Sequence, residues 1–185
     1  MDCSITLRGE WEMTKFSRIS LESEVINLFL SVLRDKLTDP RSPKRTNTNW
    51  IRSEMQVRKN TPDPNKRTFI KNSEFVGYPE VIVEEFKTKN QQKTIYINSN
   101  VNYEVSCELT IRILDINSVV NTGNLGSQIE YVLENYRTKF MGDGITKLEW
   151  DNIGTGSYAS DDNDFNERQI LVTFVARCSS WQTGA

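Results

Sequence analysis

The chain of 185 residues contains no histidine. That removes at once the commonest general base and the commonest metal ligand. Neither a Ser-His nor a Cys-His nucleophile pair can be assembled from it. The three cysteines, Cys3, Cys107 and Cys178, are odd in number and far apart, with no C-x-x-C spacing. Neither a disulfide framework nor a zinc knuckle is expected from them, and a reducing compartment fits their use. A two-carboxylate mechanism stays chemically open, but no particular pair is indicated. The densest acids are Asp161, Asp162 and Asp164 with Glu167. Clustered carboxylates suit calcium, yet the EF-hand spacing and its central glycine are missing, so a solvated loop is expected. Gly154-Thr155-Gly156 is too short for a phosphate loop and reads as a turn. Gly123-Asn124-Leu125-Gly126 opens a helical stretch, where anions can bind, but without the lysine of a P-loop a capping role is expected. The expectation is a protein with no enzymatic activity, no cofactor and no required metal.

Charge is the second signal. Lys and Arg number 23 and Asp and Glu 25, a net charge of −2. The segment 40–71 carries nine of the basic residues against only Glu54 and Asp63, seven positive charges net; the remainder of the chain is therefore at −9. A basic segment on an acidic body suggests two different partners, or contact between the two on neighbouring copies. The candidate interaction residues are its charges, Arg41, Lys44, Arg45, Arg52, Arg58, Lys59, Lys66 and Arg67, and its larger apolar groups, Trp50, Ile51, Met55, Val57 and Phe69. Basic residues with Trp50 and Phe69 also allow a nucleic-acid-binding module through phosphate contacts and stacking. The slightly acidic whole argues against a dedicated nucleic-acid binder.

The elements that must position these groups follow from periodicity. In 103–114, Tyr103, Val105, Cys107, Leu109, Ile111 and Ile113 share one face, and Glu104, Ser106, Glu108, Thr110 and Arg112 the other. This is a strand with one buried and one wet face, and Cys107 is a small core group on it. Leu21, Val25, Leu28, Phe29, Val32 and Leu33 recur at helical spacing over 21–37. Ser20 is placed as N-cap, Glu22 and Glu24 stand in the first turn, and Pro40 and Pro43 lie beyond the end. Each such side chain contributes roughly 1.5–3 kcal/mol when fully buried. Leu125, Ile129, Val132, Leu133, Tyr136 and Phe140 give a second helix over 125–141, ended by Gly142-Asp143-Gly144. Strands are expected at 49–59, 80–86, 93–97, 145–153 and 168–178, with a possible return strand at 66–71. The turns fall at 60–65 and 87–92, and a loop covers 154–167. Residues 1–19 read as an extension and 179–185 as a short tail. Met13 offers a second start, which would make 1–12 dispensable. The N-terminus lacks the apolar stretch of a secretory signal, and no run of about 18 apolar residues predicts a membrane span.

The order is helix, basic arm, strand–turn–strand–strand, helix, strand–loop–strand. With the alternating 103–113 strand feeding the helix at Leu125–Phe140 positions and then 145–153 and 168–177, the chain resembles the tail terminator and tail-completion (neck) proteins of long-tailed bacteriophages. The resemblance spans roughly residues 20–178 and rests on element order and pattern; that family has no invariant catalytic signature. It implies an α+β domain with a single mainly antiparallel sheet, two helices packed on one face, and here an extended basic arm or hairpin at 40–71. It also implies a ring of identical subunits, usually a hexamer, in the neck of the virion, assembled in the host cytoplasm. Such a ring caps the tail tube protein, receives the head-tail connector or head-completion protein, and lets double-stranded DNA pass its lumen without sequence-specific binding. The arm is longer than a minimal member needs, and residues 1–19 have no counterpart in the pattern.

Overall fold

The computed structural model describes residues 16–17, 20–40, 46–56, 70–71, 74–75, 79–97, 100–116, 119–160 and 163–179. The first helix, α1 (Leu21–Lys36), has the expected bounds, with Val25, Phe29, Leu30, Val32 and Leu33 buried. Ser20 stands at its N-cap but makes no side-chain cap bond. Its hydroxyl donates instead to the Glu24 carboxylate, whose other oxygen accepts the Ser17 amide at 2.9 Å. Glu24 thus ties the helix start to β1 (Phe16–Ser17), which pairs in parallel with the end of β8 (Asn163–Ser179). The stretch read as an extension therefore contributes a buried Phe16 to the sheet.

The main sheet has six strands. Its order runs β2 (Ile51–Ser53), β5 (Glu80–Ile97), β6 (Asn100–Ile116), β8, with β7 (Ile145–Ser160) and β1 both on the far side of β8. The β5–β6–β8–β7 pairings are antiparallel and those of β1 and β2 parallel. A separate two-residue pair, β3 (Ile70–Lys71) and β4 (Glu74–Phe75), lies outside it. The arrangement is a mixed α/β domain in which helices pack on one main sheet.

Register explains the core. Leu109 stands opposite Val172, Ile111 opposite both Ile170 and Val83, and Ile113 opposite Val81. These side chains share one face and one cluster with α1 and with α3 (Val119–Asn135), through Leu125, Ile129 and Leu133. Tyr103 is half-buried at the rim of this cluster. Phe29 of α1 sits between Phe140 of α4 (Arg137–Gly142) and Phe174 of β8, with ring centroids 4.9 and 5.6 Å away. Gly144, at φ 93, makes the left-handed turn that leads from α4 into β7, and its carbonyl accepts the Arg177 amide at 2.9 Å.

Four expectations change. The polar stretch 87–92 is not a turn but the middle of β5, with register shifts at Glu84/Lys87 and Thr88/Gln92. Pairing to β6 uses the backbone, so polar side chains do not forbid it. Residues 154–167 are not a loop, because β7 and β8 continue as a hairpin to Ser160 and from Asn163. Asp161 and Asp162 lie outside the described residues, as does any account of the acidic cluster they belong to. The second helix starts six residues early, at Val119, and breaks at Tyr136. Of the expected 49–59 strand, the described residues give three, Ile51–Ser53, while 49–50 and 54–56 are helical and 57–59 lie outside the described residues.

Candidate subunit interface

The basic segment begins as part of the folded body. Residues 46–56 form α2 (Asn47–Trp50), then β2, then a helical turn over 54–56. Asn47 holds this piece to the end of α1. Its Nδ2 donates to the carbonyls of Arg34 (2.6 Å) and Leu37 (2.9 Å), two of the acceptors a helix C-terminus leaves open. Its Oδ1 accepts the Trp50 indole N–H at 3.0 Å. Arg34 reaches over from α1: Nε donates to the Ile51 carbonyl at 3.0 Å and Nη2 to Gln56 Oε1 at 3.1 Å. Gln56 Oε1 also accepts the Ser53 amide.

Trp50 and Ile51 are each 0% exposed. Both were expected to meet a neighbouring subunit; they are core residues of their own chain, and β2 pairs with β5 at Val81–Val83 instead. Arg52, also expected at the interface, forms an ion pair with Glu80 of β5. Met55 is the expected residue that stands out, 65% exposed. Arg41, Lys44, Arg45, Val57, Arg58, Lys59, Lys66, Arg67 and Phe69 lie outside the described residues. The sequence signals for Asn47 and Arg34 were present but weak: an Asn three residues before a Trp, and a basic residue in the last turn of a helix.

Where β2 ends, a groove opens between α1, the 53–56 turn and β5, with a volume of about 630 Å³. Among the described residues, Ile26, Met55, Val83 and Phe86 supply its apolar surface, and Glu22, Glu54, Glu84 and Glu85 its acidic residues; Lys87 pairs with Glu85 at 3.1 Å and Arg112 with Glu84 at 3.1 Å. Glu85 has φ 52 and sits in the β5 bulge, a conformation that turns the strand edge aside. Burial, first, raises the pKa of Glu84; Arg112 opposes the shift, and Glu54, Glu85 and Glu167 add to it.

The sheet face away from the helices carries cross-strand ion pairs. Arg112 of β6 bridges Glu84 of β5 (3.1 Å) and Glu167 of β8 (3.9 Å). Lys89 pairs with Glu108, and Arg177 lies 3.6 Å from Glu104. Glu104 and Arg177 stand directly opposite in register, where unlike charges favour that register, and Arg112 meets its two partners diagonally.

Two smaller cavities flank α3. One, about 460 Å³, lies by Lys36, Pro40, Tyr131 and Tyr136, with the Lys36 ammonium 4.9 Å from the Tyr136 ring centre. The other, about 230 Å³, lies by Thr122, Gly123, Asn166 and Arg168. The Gly123–Gly126 pair is not a cap, because the helix starts before it; Gly123 gives its carbonyl to Arg168 and Gly126 gives it room. Gly154 and Gly156 lie within β7 rather than in a turn. Among the described residues no group of three metal-ligating side chains converges, and no helix is long and apolar enough to cross a membrane. No protein-family model matches the chain, and no curated protein matches it.

Proposed function

We propose that this chain is a structural subunit of a phage neck ring. Copies close head-to-tail into a ring, expected to be a hexamer, that caps the tail tube protein and meets the head-tail connector or head-completion protein. The lumen leaves a passage for double-stranded DNA, and the subunit catalyses no reaction and holds no cofactor. Its place is the neck of the virion, after assembly in the host cytoplasm.

The observation that carries this reading is the pair of unlike strand edges at opposite sides of one sheet. Among the described residues, β2 covers β5 at Val81–Val83 on one side, and on the other β7 has β8 as its partner. A closed head-to-tail ring needs two different surfaces on every copy. Monomeric proteins usually blunt such edges, and here each carries one bulge with a positive-φ residue, Glu85 in β5 and Lys147 in β7. The bulges keep free subunits from pairing indiscriminately, while complementary surfaces in the ring remain available. The acidic body supports a lumen through which a polyanion slides without sticking.

The test is the mass of the purified protein in solution, alone and with tail tube protein, by light scattering, with electron microscopy of any assembly. A six-fold ring in either condition is expected. A monomer in both, or a protein whose one measurable interaction is with DNA, overturns the reading in favour of a nucleic-acid-binding module.

A further inference from the structure

We propose that the polar pocket between the first turn of α3 and the β7–β8 hairpin binds an uncharged carboxamide group, supplied by a small amide or by an Asn or Gln side chain of a partner protein. The pocket arises where the inner face of β8 changes character. Ile170, Val172 and Phe174 are buried on the side of the helices, and Arg168 and Asn166 continue that face at the alternate positions before them. Across the hairpin, Thr155 stands opposite Arg168 and Ser157 opposite Asn166, so the four share one side of the sheet. Val119, Thr122 and Gly123 of α3 lie over them and bound a cavity of about 230 Å³, many times what a single water needs.

The amide of Asn166 is the key group. The residue is 5% exposed and lines the cavity. Its Oδ1 accepts the Ser157 hydroxyl at 3.0 Å, while its Nδ2 has no partner among the described residues. Buried amide N–H groups are normally paired, because leaving one unmade is costly. Ser157 Oγ has given its proton to Asn166 and keeps its capacity to accept. A donor and an acceptor therefore stand side by side, the complement of a carboxamide's C=O and NH2. Charge separates the carboxamide from its ionised relatives. Arg168 is the one cation among the described lining residues, and Glu130 matches it at 2.7 Å. Asp115, 0% exposed on β6 directly opposite Asn166, takes the Asn121 Nδ2 at 2.7 Å. Glu167 is engaged on the other face, near Arg112. A carboxylate in the pocket would find no unmatched cation and would approach the buried Asp115. An ammonium would meet Arg168 and the N–H groups of Asn166. An uncharged group bears neither cost.

The experiment is a titration of the isotope-labelled full chain with acetamide, acetate and a capped glutamine peptide, followed through backbone amide shifts. Acetamide should give saturable shifts at Val119–Gly123 and Thr155–Ser157 at millimolar concentration, and acetate a response at least tenfold weaker. Asn166→Leu removes the donor while keeping the size, and should abolish the acetamide shifts. Thr155→Leu, at an exposed position on the rim, should weaken them at least fivefold and serves as the test should the Asn166 variant not fold. Binding of the glutamine peptide tenfold or more tighter than acetamide would identify a protein side chain as the source, and equal or weaker binding a free amide. Equally strong shifts with acetate, shifts that persist in both variants, or no saturable shift with either amide would overturn the site.

Discussion

The guanidinium of Arg168 lies flat against Gly126. A Cβ placed on that glycine would come within 2.5 Å of Arg168 Nη1. Arg168 cannot simply swing away, because it joins three elements. Nη2 meets Glu130 of α3 at 2.7 Å, Nε meets Asn152 of β7 at 2.9 Å, and Nη1 reaches the Gly123 carbonyl at 3.4 Å. An alanine in a helix interior is worth about 1 kcal/mol over glycine, whereas a lost hydrogen bond to a charged group costs about 1.5–3 kcal/mol. Gly126→Ala should therefore destabilise the wild type by about 1 kcal/mol and stabilise an Arg168→Ala background by a similar amount. Urea unfolding of the four proteins measures the reversal of sign. Equal effects in both backgrounds would mean that Arg168 does not depend on the glycine.

Asn47 should matter more than its exposed surroundings suggest. Asn47→Ala removes two helix-end bonds and the Trp50 partner, and is expected to cost about 1–3 kcal/mol. Asn47→Asp should cost more at neutral pH, since a carboxylate cannot donate and would face the negative end of α1. Denaturation midpoints at pH 7 check the order; an aspartate variant as stable as wild type would contradict it.

Leu109, fully buried opposite Val172, tests the face assignment of the central strand. Leu109→Ala should cost about 2–5 kcal/mol through the cavity it leaves. Leu109→Asp should yield no soluble folded protein, because an unpaired carboxylate cannot be kept in that cluster. Circular dichroism of the soluble fraction reads both; a normally folded aspartate variant would place Leu109 outside the core.

Alkaline stability should report on Cys107. Burial, and secondarily Cys178, push its thiol from an ordinary 9.0 up to about 12. Below pH 9 the thiol is neutral in folded and unfolded chains alike, and its contribution is fully present. Between pH 9 and about 12 only the unfolded chain ionises, so stability is lost as pH rises. The slope from this one group is at most about 1.4 kcal/mol per pH unit. Urea titrations from pH 8.5 to 11 should show a shallower decline for Cys107→Ala than for wild type, and identical slopes would refute a buried, neutral thiol.

Local periodicity made the buried faces legible. The alternation from Tyr103 to Ile113 and the three-four spacing from Leu21 to Leu33 each name the side that meets the core, because an element with one apolar face has one way to hide it. The same reading misplaced Trp50 and Ile51. The alternation of Ile51 with Arg52 and Glu54 marks extended chain but not its partner: Ile51 is buried by pairing to Val81, and Trp50, the last residue of α2, is buried with its indole N–H on Asn47. The site was less legible still: the groove joins α1, the 53–56 turn and β5, and no window of sequence contains all three.

The sequence by itself determined that no histidine is available, and it marked the two main helices and the central strand, since composition and short-range period depend only on nearby residues. Tertiary structure alone decided how far the strands run. Residues 87–92 and 154–160 are too polar or glycine-rich to declare themselves strands, and they become so because β6 and β8 offer backbone partners along their length. It also decided that Asn47 and Arg34 bind the root of the basic segment to α1. Hydrogen bonds across 10 to 22 residues leave no periodic trace in a sequence, because any chain path that brings the two groups together will form them.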